Sequence, residues 1–214
     1  MAIELRWLGQ ACFQVTCEDY SIVLDPFEPG SVPGCADIDI QADEVLCSHG
    51  HHDHSYLAAI DGEGFLVARE SAQFEELSLT AIPSFHDGEG GAKRGLNTIF
   101  RIEMGGLVIA HLGDLGCELT DQQKQPLKNL DALMIPVGGF YTIDAAQAKA
   151  LVDELKPRVV IPMHYRGEGF GYDVIGPLAP FTDLCSNVVT YSTSQLELTP
   201  QTASQVAVLA PQNR

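Results

Sequence analysis

Short apolar runs punctuated by turn residues open this chain. Ile3 to Leu8, Cys12 to Cys17 and Ser21 to Leu24 are rich in β-branched and aromatic residues and are separated by Gly9-Gln10 and Glu18-Asp19. That punctuation predicts three strands. Pro26, Pro29, Gly30, Pro33 and Gly34 then predict a loop. Further strands are expected at Glu44 to Cys47 and at Leu77 to Ile82, the latter ending at Pro83. Asn97 to Glu103 and Leu107 to Ala110 form a predicted hairpin around Gly105-Gly106. Ala132 to Val137 and Val159 to Met163 are unbroken apolar runs, which suits strands covered on both faces. The period changes at Ile143 to Leu155. Ile143, Ala146, Ala150, Leu151 and Leu155 share one helical face, with Thr142 as N-cap and Pro157 beyond the end. Pro177 to Leu184 predicts a shorter helix. Val188 to Tyr191, Leu196 to Leu198 and Val206 to Leu209 are closing strands. No repeat or linker interrupts the order, so residues 1–214 read as a single domain of the α+β class, sheets packed together with helices outside.

One segment does not fit a packing role. Ser48-His49-Gly50-His51-His52-Asp53-His54-Ser55 follows the apolar run Val45-Leu46-Cys47 and contains His-x-His-x-Asp-His. Imidazole and carboxylate are the ligands that zinc-like ions take. A loop at a strand end can aim several of them at one point. The chain has seven histidines, and the other three, His86, His111 and His164, each sit at or near the end of a predicted strand. A rigid strand end is where a layered sheet presents functional side chains.

Composition narrows the partners. Lys and Arg total 12 against 29 Asp and Glu, a formal charge of −17. Such a surface repels phosphate backbones and anionic lipid, so neither nucleic acid nor membrane is an expected partner. The six cysteines form no C-x-x-C pair. They read as reduced thiols of a cytoplasmic protein. The first residues lack the basic and apolar regions of a secretory leader. No apolar run approaches the ~20 residues of a membrane span. Oligomeric state is not legible.

The ordered set of candidate ligands resembles the metallo-β-lactamase fold superfamily. Trp7-Leu8-Gly9-Gln10-Ala11-Cys12-Phe13 is similar to the opening hairpin of its branch of small metal-dependent hydrolases, which includes ascorbate-6-phosphate lactonases. Leu24-Asp25-Pro26 resembles the family's aspartate-containing strand end. His49, His51, Asp53 and His54 match its signature loop, and His86, Asp114 and His164 match its later motifs. The resemblance implies a four-layer αββα sandwich. It implies one ion on His49, His51 and His86, and a second on Asp53, His54 and His164, with Asp114 between them. It further implies two divalent ions per chain, zinc first, with manganese and iron also tolerated. A hydroxide bridging them would attack an ester, lactone or thioester of a small, anionic molecule, with Asp53 and Asp114 in catalytic roles. Two other classes remain open: a di-iron redox protein and a non-catalytic metal-binding or ligand-sensing protein. Flavodiiron members tend to carry Glu at the position of His51, which favours hydrolysis here. Gln10 departs from the histidine often found in the opening motif.

Residues around the histidines carry expectations about substrate. His86 to Asn97 is glycine-rich and contains Lys93 and Arg94. It reads as a surface loop or as a lid bringing Arg94, with Asn97, to an anionic substrate. Pro136 to Thr142 reads as a tight strand-to-helix turn whose glycines also permit close approach of a ligand. Tyr141 and Tyr165 are candidate pocket walls. Asp25 is a candidate support for a ligating histidine, and His111 either such a support or a satisfied core group. His52 is expected to point away.

Overall fold

The computed structural model describes residues 1–61, 66–68, 70–74 and 76–212. Its first strands are β1 (Ile3–Gly9), β2 (Cys12–Cys17) and β3 (Tyr20–Leu24). Then come β4 (Ile40–Gln41), β5 (Glu44–Leu46), β6 (Ile60–Asp61), β7 (Leu66–Ala68) and β8 (Ala72–Gln73). The middle of the chain holds β9 (Leu77–Phe85), β10 (Leu96–Met104) and β11 (Leu107–His111). After α1 (Asp121–Lys124) follow β12 (Ala132–Pro136), α2 (Ala145–Leu155) and β13 (Val159–Met163). The chain closes with α3 (Ala179–Thr182), β14 (Val188–Thr190), β15 (Gln195–Leu198) and β16 (Gln205–Val208).

Two sheets pack face to face. One has the order β15-β1-β2-β3-β5-β7, the other β14-β16-β13-β12-β11-β10-β9-β8. Strand alternation explains the cores. Ile22 and Leu24 enter the main core with Phe13, Val15 and Leu46, while Val23, Cys12 and Val45 face the other way. That outer face is covered by Phe27, Val32, Cys35 and Ile38 and by the one-turn segment Leu57–Ala59. The second sheet's helix, α2, joins the main core through Ala148 and Leu155. The architecture is the expected αββα sandwich with unequal outer layers. Among the described residues, the layer over the first sheet is loop, a single 3₁₀ turn and the small parallel pair β4-β6, which packs there through Ile40 and Ile60. No helix in the described residues is long and apolar enough to cross a membrane.

Three elements differ from the sequence pattern by more than one residue at an end. Helix α2 begins at Ala145 and is capped by Asp144, not Thr142. Asp144 and Gln147 form a capping box, each satisfying a backbone N–H of the other, a motif of about 1 kcal/mol. β9 runs through Pro83 to Phe85 because β8 pairs only with Ser78 and Leu79. Beyond them β9 is an edge strand among the described residues, where a missing N–H is tolerated. The shorter predicted helix is the single turn α3.

Candidate metal centre

Strand directions gather the candidate ligands. β9 and β11 both pair antiparallel with β10, so they point the same way, and β11, β12 and β13 are parallel. β3 and β5 are parallel in the other sheet. His86 therefore follows β9, Asp114 follows β11 and His164 follows β13 at one edge of the sandwich. Asp25 follows β3 and the histidine loop follows β5.

The hydrogen bonds behind the imidazoles fix which nitrogen faces inward. Ser48 Oγ donates its one proton to Asp25 Oδ2 at 2.6 Å, so it accepts from His49 Nδ1 at 2.9 Å. That leaves His49 Nε2 as a lone pair, 3.0 Å from His51 Nδ1. His86 Nδ1 donates to Tyr141 O at 3.1 Å and frees its Nε2. His54 Nδ1 donates to Asp25 Oδ2 at 2.9 Å, turning Nε2 inward. Backing each imidazole this way is how proteins orient metal-ligating histidines.

The inward nitrogens converge on one carboxylate. Asp114 Oδ2 lies 3.3 Å from His54 Nε2, 3.2 Å from His86 Nε2 and 3.3 Å from His164 Nε2. Asp53 Oδ2 is 3.4 Å from His54 Nε2. Two ligands each ~2.1 Å from a tetrahedral ion stand ~3.4 Å apart, so these are the spacings of donors around shared cations. The donors within 4.8 Å of one another form the groups His49-His51-His86 and Asp53-His54-His164, with Asp25-His49-His54 behind them. Gln10 Oε1, His54 Nε2, Asp114 Oδ1 and His164 Nδ1 are buried without hydrogen-bond partners among the described residues. Leaving such groups unpaired costs about 1–3 kcal/mol each, and a cation that took the place of the His54 proton would satisfy a cluster of this kind. The residues present fit a metal.

Charge follows the same geometry. Burial lowers His49 to about 3 and also depresses His86, leaving both neutral and ligand-ready. Burial opposes charge on His54 as well, but Asp114, Asp25 and Asp53 overrule it and raise its pKa. Burial would raise Asp114, yet the His164 and His54 charges hold it well below the usual carboxylate range. Any ion bound here must displace the proton of His54.

The support is strained where it is closest. Gln10, Asp25 and His164 have φ of 50°, 48° and 52°, each at a cost of about 1–2 kcal/mol for a residue with a Cβ. Backbone bonds hold His164: its N–H donates to Gln10 O at 3.1 Å, and Trp7 Nε1 donates to the same oxygen at 3.0 Å. Gly138 packs against this turn so closely that a Cβ there would stand 2.3 Å from His164 O. The glycine serves backbone packing behind the centre.

A cleft of about 350 Å³ opens over these residues. His51, His52, Asp53, His86, Arg94, Asp114, Tyr141, His164 and Tyr172 line it. The Arg94 guanidinium lies 5.2 Å from the Tyr141 ring and 5.9 Å from the Phe140 ring, a cation–π arrangement. Lys93 instead pairs with Glu89 in solvent. Phe140 is 62% exposed and has φ 60°.

The family model of the beta-lactamase superfamily domain matches residues 4–164, which include all seven candidate ligands. The chain belongs to the metallo-β-lactamase superfamily. A metal-dependent hydrolase of Methanoculleus marisnigri is 30% identical over 188 residues, covering 76% of this chain and 81% of its own length. One from Desulforamulus reducens is 26% identical over 198 residues, 76% of this chain and 84% of that protein. A Thermotoga maritima crystal structure, assigned to the Zn-dependent hydrolases of the superfamily, is similar with a TM-score of 0.81. It is 31% identical and the match covers 98% of this chain and 100% of that one.

Within this metallo-β-lactamase fold, the seven candidate ligands come together, and Arg94 and Tyr141 stand on the cleft wall. Asn97 does not. It is 1% exposed, its Nδ2 donates to Ser84 Oγ and Leu112 O, and its Oδ1 accepts from the Asp114 N–H. With every amide atom engaged, it positions Asp114 and has nothing left for a substrate. His111 is a satisfied core histidine: Nε2 meets Ala11 O at 2.7 Å and Nδ1 accepts from Gly113 N. Tyr165 stacks on Trp7 at 5.4 Å, away from the cleft. His52, expected to point away, lies on the cleft rim. Tyr172 gave no motif in the sequence and lies beyond residue 164.

The glycine-rich segment is pinned, not loose. The Asp87 carboxylate accepts from the N–H groups of Glu89, Gly91, Lys93 and Arg94 at 2.8–2.9 Å. Burial would raise its pKa, but these four bonds outweigh that and bring it down to about 2. A depressed carboxylate contributes stability above its unfolded pKa of ~3.9, lost as pH falls towards the folded value. In thermal melts, Asp87→Ala is expected to melt below wild type at pH 6, with the gap closing as pH approaches 2. A gap independent of pH would refute the role of the charge.

Proposed function

We propose that this chain, a metal-dependent hydrolase of the metallo-β-lactamase superfamily, holds two divalent ions and cleaves an ester, lactone or thioester bond in a small anionic molecule. His49, His51 and His86 would hold one ion and Asp53, His54 and His164 the other, with Asp114 shared. The nitrogen-rich set favours zinc. The observation that carries this reading is Asp114 Oδ2 standing 3.2–3.3 Å from three inward imidazole nitrogens. Ions held there would supply Lewis acidity, lowering the pKa of a water to ~7 and polarising an acyl oxygen. The protein's own part is positioning. Asp53, partly exposed to the cleft, orients the attacking water. Arg94 takes the substrate's carboxylate or phosphate, and Tyr141 holds the guanidinium flat.

A panel of lactones, esters and thioesters, with and without an anionic group, tests this. Turnover should disappear on chelation and return with zinc. Arg94→Ala should raise KM for the anionic members by about tenfold or more, the worth of a charged hydrogen bond, with kcat little changed. Turnover indifferent to chelator rejects the metal mechanism. An unchanged KM in Arg94→Ala rejects the anion site.

A further inference from the structure

Tyr172 sits on the segment that follows His164, and that segment is held from several sides. Isolated bridges join Arg166 to Pro177 and Gly167 to Phe170. Gly171 N donates to Pro33 O at 2.8 Å. Gly34 is so close to this loop that a Cβ on it would overlap the Gly169 carbonyl oxygen. The Tyr172 ring meets the Tyr141 ring edge-on at 6.3 Å, and its hydroxyl points into the cleft. The hydroxyl donates to Asp53 Oδ2 at 3.3 Å. That is long for an O–H···O bond, which ordinarily spans ~2.5–3.0 Å. Asp53 Oδ2 is also approached by Gln10 Nε2 at 3.4 Å and His54 Nε2 at 3.4 Å. Three donors crowd one oxygen and none reaches a good distance. A cation that took Asp53 as a ligand would compete with this phenol for the same oxygen and so free its O–H for another acceptor in the cleft. Packing alone needs the ring and not the hydroxyl.

We propose that Tyr172 is a catalytic residue whose O–H donates to the substrate's carbonyl oxygen as that oxygen gains charge. The role rests on the acyl hydrolysis proposed above. In the step it serves, the water oxygen adds to the carbonyl carbon and the carbonyl π pair moves onto its oxygen. Tyr172 hydrogen-bonds that oxygen and keeps its proton. The pair then returns, and the bond to the leaving oxygen or sulfur breaks with its electrons on the leaving group, which takes up the proton that the attacking water gives up. A rigid donor aimed at developing charge is the commonest large contribution to such reactions.

Tyr172→Phe, which keeps the ring, tests the proposal in zinc-loaded protein. Affinity for phenylphosphonate, a tetrahedral oxyanion, should fall about tenfold by calorimetry, while that for planar benzoate stays within about twofold. Metal content should equal that of wild type. On any acyl substrate wild type turns over, kcat should fall about a hundredfold with KM within about twofold. Equal affinities for phenylphosphonate, or unchanged kcat, overturn the role while leaving the hydrolase reading intact. A lower metal content, with kcat restored by excess zinc, also overturns it and makes Tyr172 a positioning residue for Asp53. Wild type inactive on the whole panel defeats the parent reading and this role with it.

Discussion

Asp114→Asn is expected to lower kcat/KM by about 10³-fold or more while the protein stays folded. Several kcal/mol of Lewis-acid stabilisation are at stake, at 1.36 kcal/mol per tenfold. The substitution preserves shape and removes charge. Asp114 Oδ2 is the point on which His54, His86 and His164 converge, and Oδ1 is buried without a partner. An amide can present its oxygen to one side only, and its NH₂ turned towards an imidazole lone pair or a cation repels it. The backbone is held independently, since Asp114 N donates to Asn97 Oδ1 at 2.9 Å. Circular dichroism should therefore match wild type. Turnover within a few-fold of wild type would remove Asp114 from the centre.

Asp25→Ala is expected to produce the largest loss of stability, about 3–5 kcal/mol, the usual cost of stripping one partner from a buried charge pair. Asp25 is fully buried and accepts from Ser48 N at 2.6 Å, Ser48 Oγ at 2.6 Å and His54 Nδ1 at 2.9 Å. Alanine leaves all three donors unmet and also places a Cβ residue without a local hydrogen bond at φ 48°. Burial would raise the Asp25 pKa, but the hydrogen bond and charge of His54 bring it below the ordinary value. Its contribution is thus present above the unfolded pKa of ~3.9 and lost as pH falls through the folded one. Denaturant titration should show the deficit at pH 7 and a smaller one in strong acid. Metal affinity should fall about 10–100-fold, because His54 loses the acceptor that orients it. Asp25→Asn, whose side chain tolerates the left-handed region, should be milder. A variant as stable as wild type would contradict the role.

Much of this was legible because it follows from residue type and punctuation. The strand pairs flanking Gly9-Gln10 and Gly105-Gly106 were readable. So were the buried strands ahead of Pro136 and His164 and the order of histidines at strand ends. What escaped depends on register or on distant partners. Asn97 is the second residue of β10, beside a polar loop, and resembles a surface residue, and only pairing with β9 at Ser84 shows that it faces inward. Phe27, Val32, Cys35 and Ile38 follow no period, because an irregular segment wraps the outer sheet face. His86 to Asn97 read as a surface loop or a lid, yet one carboxylate, Asp87, ties four of its amides. Asp144 and Gln147 spelled a capping box that starts two residues beyond Thr142, and the intervening apolar Ile143 obscured it. Tyr172 reaches the centre through a loop whose path is set by contacts with Pro33 and Gly34, more than a hundred residues away.

The most direct test is the number of ions the protein holds. Wild type stripped with chelator, reconstituted with zinc and dialysed should retain about two equivalents per chain by elemental analysis, and Asp114→Asn clearly fewer. A wild-type protein that gains no tightly held ion would contradict the two-metal centre, and retention of one equivalent unaffected by Asp114→Asn would contradict the shared carboxylate.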